Sequence, residues 1–128
     1  MKDVTGKGIL IVDDDPDILD SLKTMLEATL PGVHVITAET GAIALDLLKT
    51  ESVQLIITDF RMPGMNGAQF LSKADIVAPG VPRILISAFP EAILNDQVVD
   101  QLKVECFLPK PLDAKQVIEL SRRLLELL

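Results

Sequence analysis

Residues 55–67 read LIITDFRMPGMNG, and they contain the most informative of the apolar runs in this sequence. The first three of these residues form an apolar run that is typical of a buried strand. Asp59 follows as a lone carboxylate, directly before a turn rich in proline and glycine, in which Gly67 permits close backbone approach. The stretch therefore predicts a buried strand with one acidic group at its carboxyl end.

Other apolar runs of the chain also end in side chains that carry chemistry. Asp13 and Asp14 follow the first run, Ser87 follows the fourth and Lys110 follows the fifth. With Asp59 after the third run, four runs end in acid, acid, hydroxyl and ammonium. This order is the main indication of function.

The apolar runs alternate with longer amphipathic stretches, a pattern typical of repeated βα units around a parallel sheet. We predict strands at residues 8–12, 33–37, 53–58, 82–86 and 105–108. Continuously apolar runs suit strands that are covered on both faces. The predicted fold is therefore α/β, a flavodoxin-like (βα)5 unit with a five-stranded parallel sheet in the order 2-1-3-4-5.

Helix signals fill the intervals between these strands. The predicted helix starts are Asp15, Gly41, Asn66, Pro90 and Asp113. The positions predicted to face inward include Ile43 in the second helix, Val77 in the third, and Leu120 and Leu124 in the last. Apolar residues on more than one side of the last helix predict either a homodimer contact or a longer parent protein.

The composition limits the classes of function. A length of 128 residues fits one domain, here residues 1–128. A formal net charge of −7 without a Lys/Arg cluster argues against direct nucleic-acid binding. The apolar runs are far shorter than the roughly 20 residues that span a bilayer, and the start lacks a signal-peptide core. We expect a cytoplasmic protein without a membrane contact.

The predicted topology brings the polar strand ends together. In an open parallel sheet, ligands bind beyond the carboxyl ends of the strands where the strand order reverses, which is between the first and third strands here. Asp13, Asp14 and Asp59 therefore meet at one edge. Ser87 and Lys110 reach the same edge from the fourth and fifth strands, while the second strand is expected to end away from the site.

Crowded carboxylates need a cation, because two like charges 4 Å apart repel by about 4 kcal/mol at an effective dielectric near 20. Ligands that are all oxygen favour Mg²⁺, with Mn²⁺ as an alternative. Lys110 can bind an anion beside the metal. Such a site is suited to placing a phosphoryl group on Asp59, with Ser87 bonding a phosphoryl oxygen.

Taken together, these motifs resemble the response-regulator receiver domains of two-component signalling. The family combines Asp-Asp after the first strand, Asp-x-x-Met-Pro-x-Met-x-Gly after the third, Ser/Thr-Ala after the fourth and Lys-Pro after the fifth. The matching segments here are Asp13-Asp14, Asp59 to Gly67, Ser87-Ala88 and Lys110-Pro111. The chain departs from the family in Lys103-Val104-Glu105, where Gly-Ala is frequent, and in Phe107, where tyrosine is common.

The resemblance implies roles for individual residues. Asp59 would be the phosphoacceptor, and Asp14, Asp59 and the carbonyl of Arg61 would bind Mg²⁺ directly, with Asp13 acting mainly through water. Ser87 and Phe107 would move together on phosphorylation. It also implies a cis peptide between Lys110 and Pro111.

The resulting hypothesis is a phosphorylation-activated switch rather than an enzyme with its own substrate. A sensor histidine kinase or phosphotransfer protein would supply the phosphoryl group, and a downstream protein or a fused output domain would respond; autophosphorylation and autodephosphorylation would be its only catalysis. One alternative is a Mg²⁺-dependent phosphatase with an aspartyl-phosphate intermediate, although Arg61 stands where such enzymes usually carry a second Asp. Another is a scaffold with a vestigial site.

Overall fold

The computed structural model describes residues 3–88 and 103–126. Strands and helices alternate from residue 8 to residue 87. The strands are β1 (Gly8–Val12), β2 (His34–Ala38), β3 (Leu55–Asp59), β4 (Arg83–Ser87) and β5 (Cys106–Pro109), and the helices are α1 (Pro16–Thr29), α2 (Gly41–Thr50), α3 (Gly67–Val77) and α4 (Ala114–Glu126). The helix predicted to follow Pro90 lies outside the described residues.

All strand pairs are parallel, and the strand order is β2-β1-β3-β4-β5. The predicted fold class is therefore confirmed. The predicted strands agree with the observed ones to within two residues at each end. In register, Val12 lies opposite both Ala38 and Thr58, and Asp59 lies opposite Ile86. The strands thus end nearly level, which places the residues after them along one edge.

Two apolar clusters cover the two faces of the sheet. Leu19, Leu22 and Leu26 of α1, together with Val117 and Leu125 of α4, pack on one face. Residues of α2 and α3 pack on the other, where Phe70 and Leu71 are fully buried. No helix within the described residues is long and apolar enough to cross a membrane.

Side-chain caps begin the helices as the sequence indicates. Asp15 accepts a hydrogen bond from the N–H of Asp17 at 2.9 Å, and Pro16 occupies the first turn. Asn66 and Gln69 form a reciprocal capping box, with hydrogen bonds of 2.8 and 2.9 Å. Asp113 accepts from the N–H of Lys115 at 3.0 Å. These contacts satisfy N–H groups that lack partners inside the helix.

Some predicted inward positions are wrong. Ile43 is 48% exposed, because the buried face of α2 is formed by Gly41, Ala44 and Leu48, and Val77, the last residue of α3, is 36% exposed. In α4 the buried residues are Val117, Ser121 and Leu125, and Leu120 and Leu124, which were also predicted to face inward, are partly buried and pack against the same apolar cluster. With apolar residues on several sides of a helix, contact with the sheet decides which side turns inward.

Ser121 yields a stability prediction. Its hydroxyl is fully buried and has no hydrogen-bond partner among residues 3–88 and 103–126. We expect Ser121→Ala to raise the free energy of unfolding by about 1 kcal/mol, because a buried hydroxyl without a partner loses its bonds to water. Chemical denaturation measures the change. Ser72→Ala, at an exposed position of α3, controls for the higher helix propensity of alanine. An equal gain in both variants would contradict the prediction.

Candidate functional site

The carboxyl edge of the sheet gathers an acidic cluster, which we define as Asp13, Asp14 and Asp59. Each residue offers one carboxylate oxygen, and these oxygens lie within 4.8 Å of one another. Asp13 and Asp59 are buried, with 2% and 5% of their surfaces exposed, whereas Asp14 is exposed. The convergence predicted from the strand order is therefore present in the structure.

Lys110 lies against two members of the acidic cluster. Its Nζ atom donates a hydrogen bond to Oδ2 of Asp59 at 2.9 Å and lies 3.7 Å from Oδ2 of Asp13. Burial lowers the pKa of the ammonium, but the hydrogen bond to Asp59 and the nearby carboxylate charges outweigh it, so the pKa lies above its ordinary value. Lys110 therefore remains charged at neutral pH.

Asp13 is held from two directions. Its backbone N–H donates to the carbonyl of Ala38 at the end of β2, at 3.1 Å. Its Oδ1 accepts from the N–H of Asp15 at 2.9 Å. The first contact corrects the expectation that β2 ends away from the site, because the level strand ends let β2 support the residue after β1. The contact follows from the register between β1 and β2, which cannot be read from the sequence.

Burial raises the pKa of the Asp13 carboxyl, and the charges of Asp59 and Asp14 add to the effect, against the opposing hydrogen bond from Asp15 and the charge of Lys110. Desolvation and like charges both disfavour the ionised form. The acidic cluster therefore carries charge that the protein itself does not fully compensate.

Ser87 and Lys110 are joined through the backbone. Ser87 is the buried last residue of β4 and pairs in register with Pro109, and the N–H of Lys110 donates to the Ser87 carbonyl at 3.1 Å. The peptide between Lys110 and Pro111 is cis, which confirms that expectation. Phe107 lies on β5, is partly buried, and packs against the α2/α3 side of the core. Ser87 and Phe107 thus occupy adjacent strands.

The turn after β3 depends on Gly67. A Cβ atom at this position would lie 2.5 Å from the Asp59 carbonyl oxygen and 2.9 Å from the Cα of Phe60. The close backbone approach expected of Gly67 is therefore confirmed. The sequence analysis did not identify the role of Gly41, where a Cβ atom would lie 2.7 Å from Sδ of Met65. The absence of a side chain at Gly41 lets Met65 pack against the start of α2. Arg61 is exposed in the same turn.

The donor set fits a hard divalent cation. Three carboxylates converge through oxygen atoms, and one ammonium neutralises one of their charges. Mg²⁺ and Mn²⁺ prefer such ligands. The same edge therefore combines a place for a cation, an ammonium that can contact an anion, and a buried carboxylate.

Comparison with known proteins gives a consistent result. The family model described as "Response regulator receiver domain" matches residues 9–122. The transcriptional regulatory protein GlrR of Escherichia coli (strain K12) is 41% identical over 108 residues, which are 82% of this chain and 23% of GlrR. A 14.6 kDa protein of Leptolyngbya boryana is 32% identical over 125 residues, covering 96% of this chain and 93% of that protein.

Solved structures agree with these relatives. A crystal structure of a protein from Neptuniibacter caesariensis has a TM-score of 0.85 and 35% identity, covering 96% of this chain and 90% of that one. A CheY-like response regulator receiver domain protein from Methanospirillum hungatei JF-1 has a TM-score of 0.81 and 30% identity, covering 93% of each chain. The chain spans about a quarter of the length of GlrR, so GlrR contains much that has no counterpart here.

The pKa of Asp13 generates a pH prediction. Because the pKa is higher in the folded protein than the ordinary 3.8, the folded state holds this proton more tightly and loses stability as pH rises through the raised pKa. We expect Asp13→Asn to raise the free energy of unfolding of the metal-free protein at neutral pH by on the order of 1 kcal/mol, since one buried charge is removed. The gain should shrink as pH falls toward the ordinary value.

Urea denaturation in EDTA at several pH values measures this dependence. Asp20→Asn, at an exposed position of α1, removes the same charge outside the cluster and serves as the control. A gain for Asp13→Asn that does not change with pH would show that charge in the cluster is not its cause.

Proposed function

The chain belongs to the family of response regulator receiver domains, and from this we propose that it accepts a phosphoryl group from a histidine kinase onto Asp59 and acts as a phosphorylation-activated switch. Receiver domains are signalling switches of two-component systems and are generally not enzymes. The observation that carries the proposal is the contact between Lys110 Nζ and Asp59 Oδ2 at 2.9 Å, inside a cluster of carboxylates.

In the proposed reaction a carboxylate oxygen of Asp59 attacks the phosphorus of a phosphohistidine. The phosphorus–oxygen bond forms while the phosphorus–nitrogen bond breaks, and the electron pair leaves with the donor imidazole. Asp59 suits this role because β3 holds it at the centre of the site, between the strands that carry Asp13 and Ser87. Lys110 would bind a phosphoryl oxygen, and the Ser87 hydroxyl would donate to another.

Receiver domains bind Mg²⁺ in an acidic pocket, and the acidic cluster has the ligands for it. We assign Asp14, Asp59 and the Arg61 carbonyl as direct ligands, with Asp13 acting mainly through water. When bound, the ion would offset the negative charge that builds up as the phosphoryl group approaches the carboxylates. Mn²⁺ could replace it, since it accepts the same oxygen donors.

The proposed partners follow from the family. A histidine kinase or a phosphotransfer protein would donate the phosphoryl group. Relatives such as GlrR are named transcriptional regulatory proteins and are longer than this chain, which favours a downstream protein target or a fused output domain for the whole protein. The receiver unit would comprise residues 1–128, and a homodimer remains one form in which it could act.

Phosphorylation at a single residue is the first expected outcome. Acetyl phosphate with Mg²⁺ should add one phosphoryl group to the protein and none to Asp59→Asn, because the amide is not a nucleophile of comparable strength. Intact-mass spectrometry distinguishes the two. Asp46→Asn, an exposed residue of α2, should behave like the parent. EDTA or Asp14→Ala should slow the labelling at least tenfold if the cluster binds the metal, and labelling of Asp59→Asn would move the acceptor elsewhere.

Coupled movement of Ser87 and Phe107 is the second expected outcome. A phosphoryl group that draws the Ser87 hydroxyl inward should open space for the ring on the neighbouring strand, and ligands shift such equilibria only through differential contacts. Phe107 lacks a hydroxyl, so its two ring positions would differ by packing alone. Amide spectra with beryllofluoride and Mg²⁺ should show shifts at both residues. In Ser87→Ala the shift at Phe107 should shrink, and an undiminished shift would separate the two residues.

A further inference from the structure

Strand β2 forms one edge of the sheet, and side chains of α1 contact the outer side of this strand. An edge strand presents backbone N–H and C=O groups that a strand of another molecule can pair with. In a parallel pair, alternate residues direct these groups toward the neighbouring strand. The N–H of His34 donates to the carbonyl of Lys7, the residue before β1, at 2.9 Å. Val35, the next residue, therefore directs its backbone groups to the open side.

Side chains of α1 occupy both backbone groups of Val35. The Val35 N–H donates to Oε2 of Glu27 at 3.1 Å, and Nζ of Lys23 donates to the Val35 carbonyl at 2.9 Å. The two charged groups lie 3.8 Å apart and are one helical turn from each other. Just before the strand, the Val33 N–H donates to the carbonyl of Leu30. Residues 33–35 thus have their outward N–H groups bonded within the protein.

We propose that Lys23 and Glu27 form an edge cap that closes β2 against strand addition by a second copy of this chain. The carboxylate of Glu27 occupies the position from which the carbonyl of an added strand would accept a hydrogen bond from Val35. The ammonium of Lys23 occupies the position from which the N–H of that strand would donate a hydrogen bond to Val35. Because each of these bonds has one charged partner, the Glu27 carboxylate or the Lys23 ammonium, it is stronger than the neutral backbone bond that it replaces. The cap is held by a helix whose apolar face is anchored in the core. The edge cap would act whether or not Asp59 is phosphorylated.

A second ion pair on the surface provides a matched control. Asp46 and Lys49 of α2 lie 3.7 Å apart, one helical turn from each other, with most of each side chain exposed. Removing either pair deletes one positive and one negative charge from a helix. The two double variants therefore differ mainly in what the pair contacts.

Hydrogen exchange tests the contacts of the cap. In Lys23→Ala/Glu27→Ala the amide of Val35 should exchange about tenfold faster than in the parent, because its acceptor is gone. In Asp46→Ala/Lys49→Ala the rate should not change. Glu27→Gln keeps an oxygen acceptor and should retain most of the protection. Equal Val35 rates in the two double variants would overturn the proposal.

Light scattering over a range of concentrations tests the closure itself. The Lys23→Ala/Glu27→Ala variant should associate beyond the mass of the parent, while the control pair should match the parent. If both double variants keep the molecular mass of the parent, the proposal that the cap prevents strand addition is overturned, even if the exchange rate of the Val35 amide rises. Thermal melting checks that each variant folds. If the double variant does not, Glu27→Ala alone carries the same two measurements, with Asp46→Ala as its control.

Discussion

Three carboxylates converge at the carboxyl edge of the sheet, and the folded structure around them has to overcome their mutual repulsion. Asp13 and Asp59 are buried and converge with Asp14, at a cost in desolvation and like-charge contact. The contact with Lys110 relieves part of that cost, as does the N–H of Asp15. The remaining negative charge is not compensated within the described residues, and it is the kind of charge that a bound cation would offset.

The folded sheet brings the members of this cluster together, and it holds Asp13 and Asp59 in buried positions. Apolar helices cover both faces, and the parallel register ends the strands nearly level. Close packing then fixes the connections as well. Gly67 lets the chain pass within van der Waals contact of the Asp59 carbonyl, and Gly41 admits the side chain of Met65. The hydrophobic core therefore does more than stabilise the protein, since it holds charged groups at distances they would not adopt in water.

The first helix contributes to several parts of the molecule at once. The residue that caps it, Asp15, donates its N–H to Asp13, and the apolar face of the helix covers the sheet. Farther along, Lys23 and Glu27 bond the outward backbone groups of Val35. The helix α1 therefore contributes to the geometry of the site, to the packing of the core and to the covering of the sheet edge. A change in the tilt of α1 would therefore shift contacts at the acidic cluster and at β2 together.

The fold class and the residues that converge could be predicted from the sequence, because an apolar run followed by Asp59 or Lys110 is a local pattern. Parallel topology then brings such strand ends to one edge. The tertiary structure sets which side of α4 is buried most deeply, so that Ser121 is fully buried while Leu124 is partly buried against the same apolar cluster. It also decided that β2 supports Asp13. These features depend on helix rotation and strand register, which are set by packing between segments that are distant in the chain. They therefore cannot be predicted from the local order of residues.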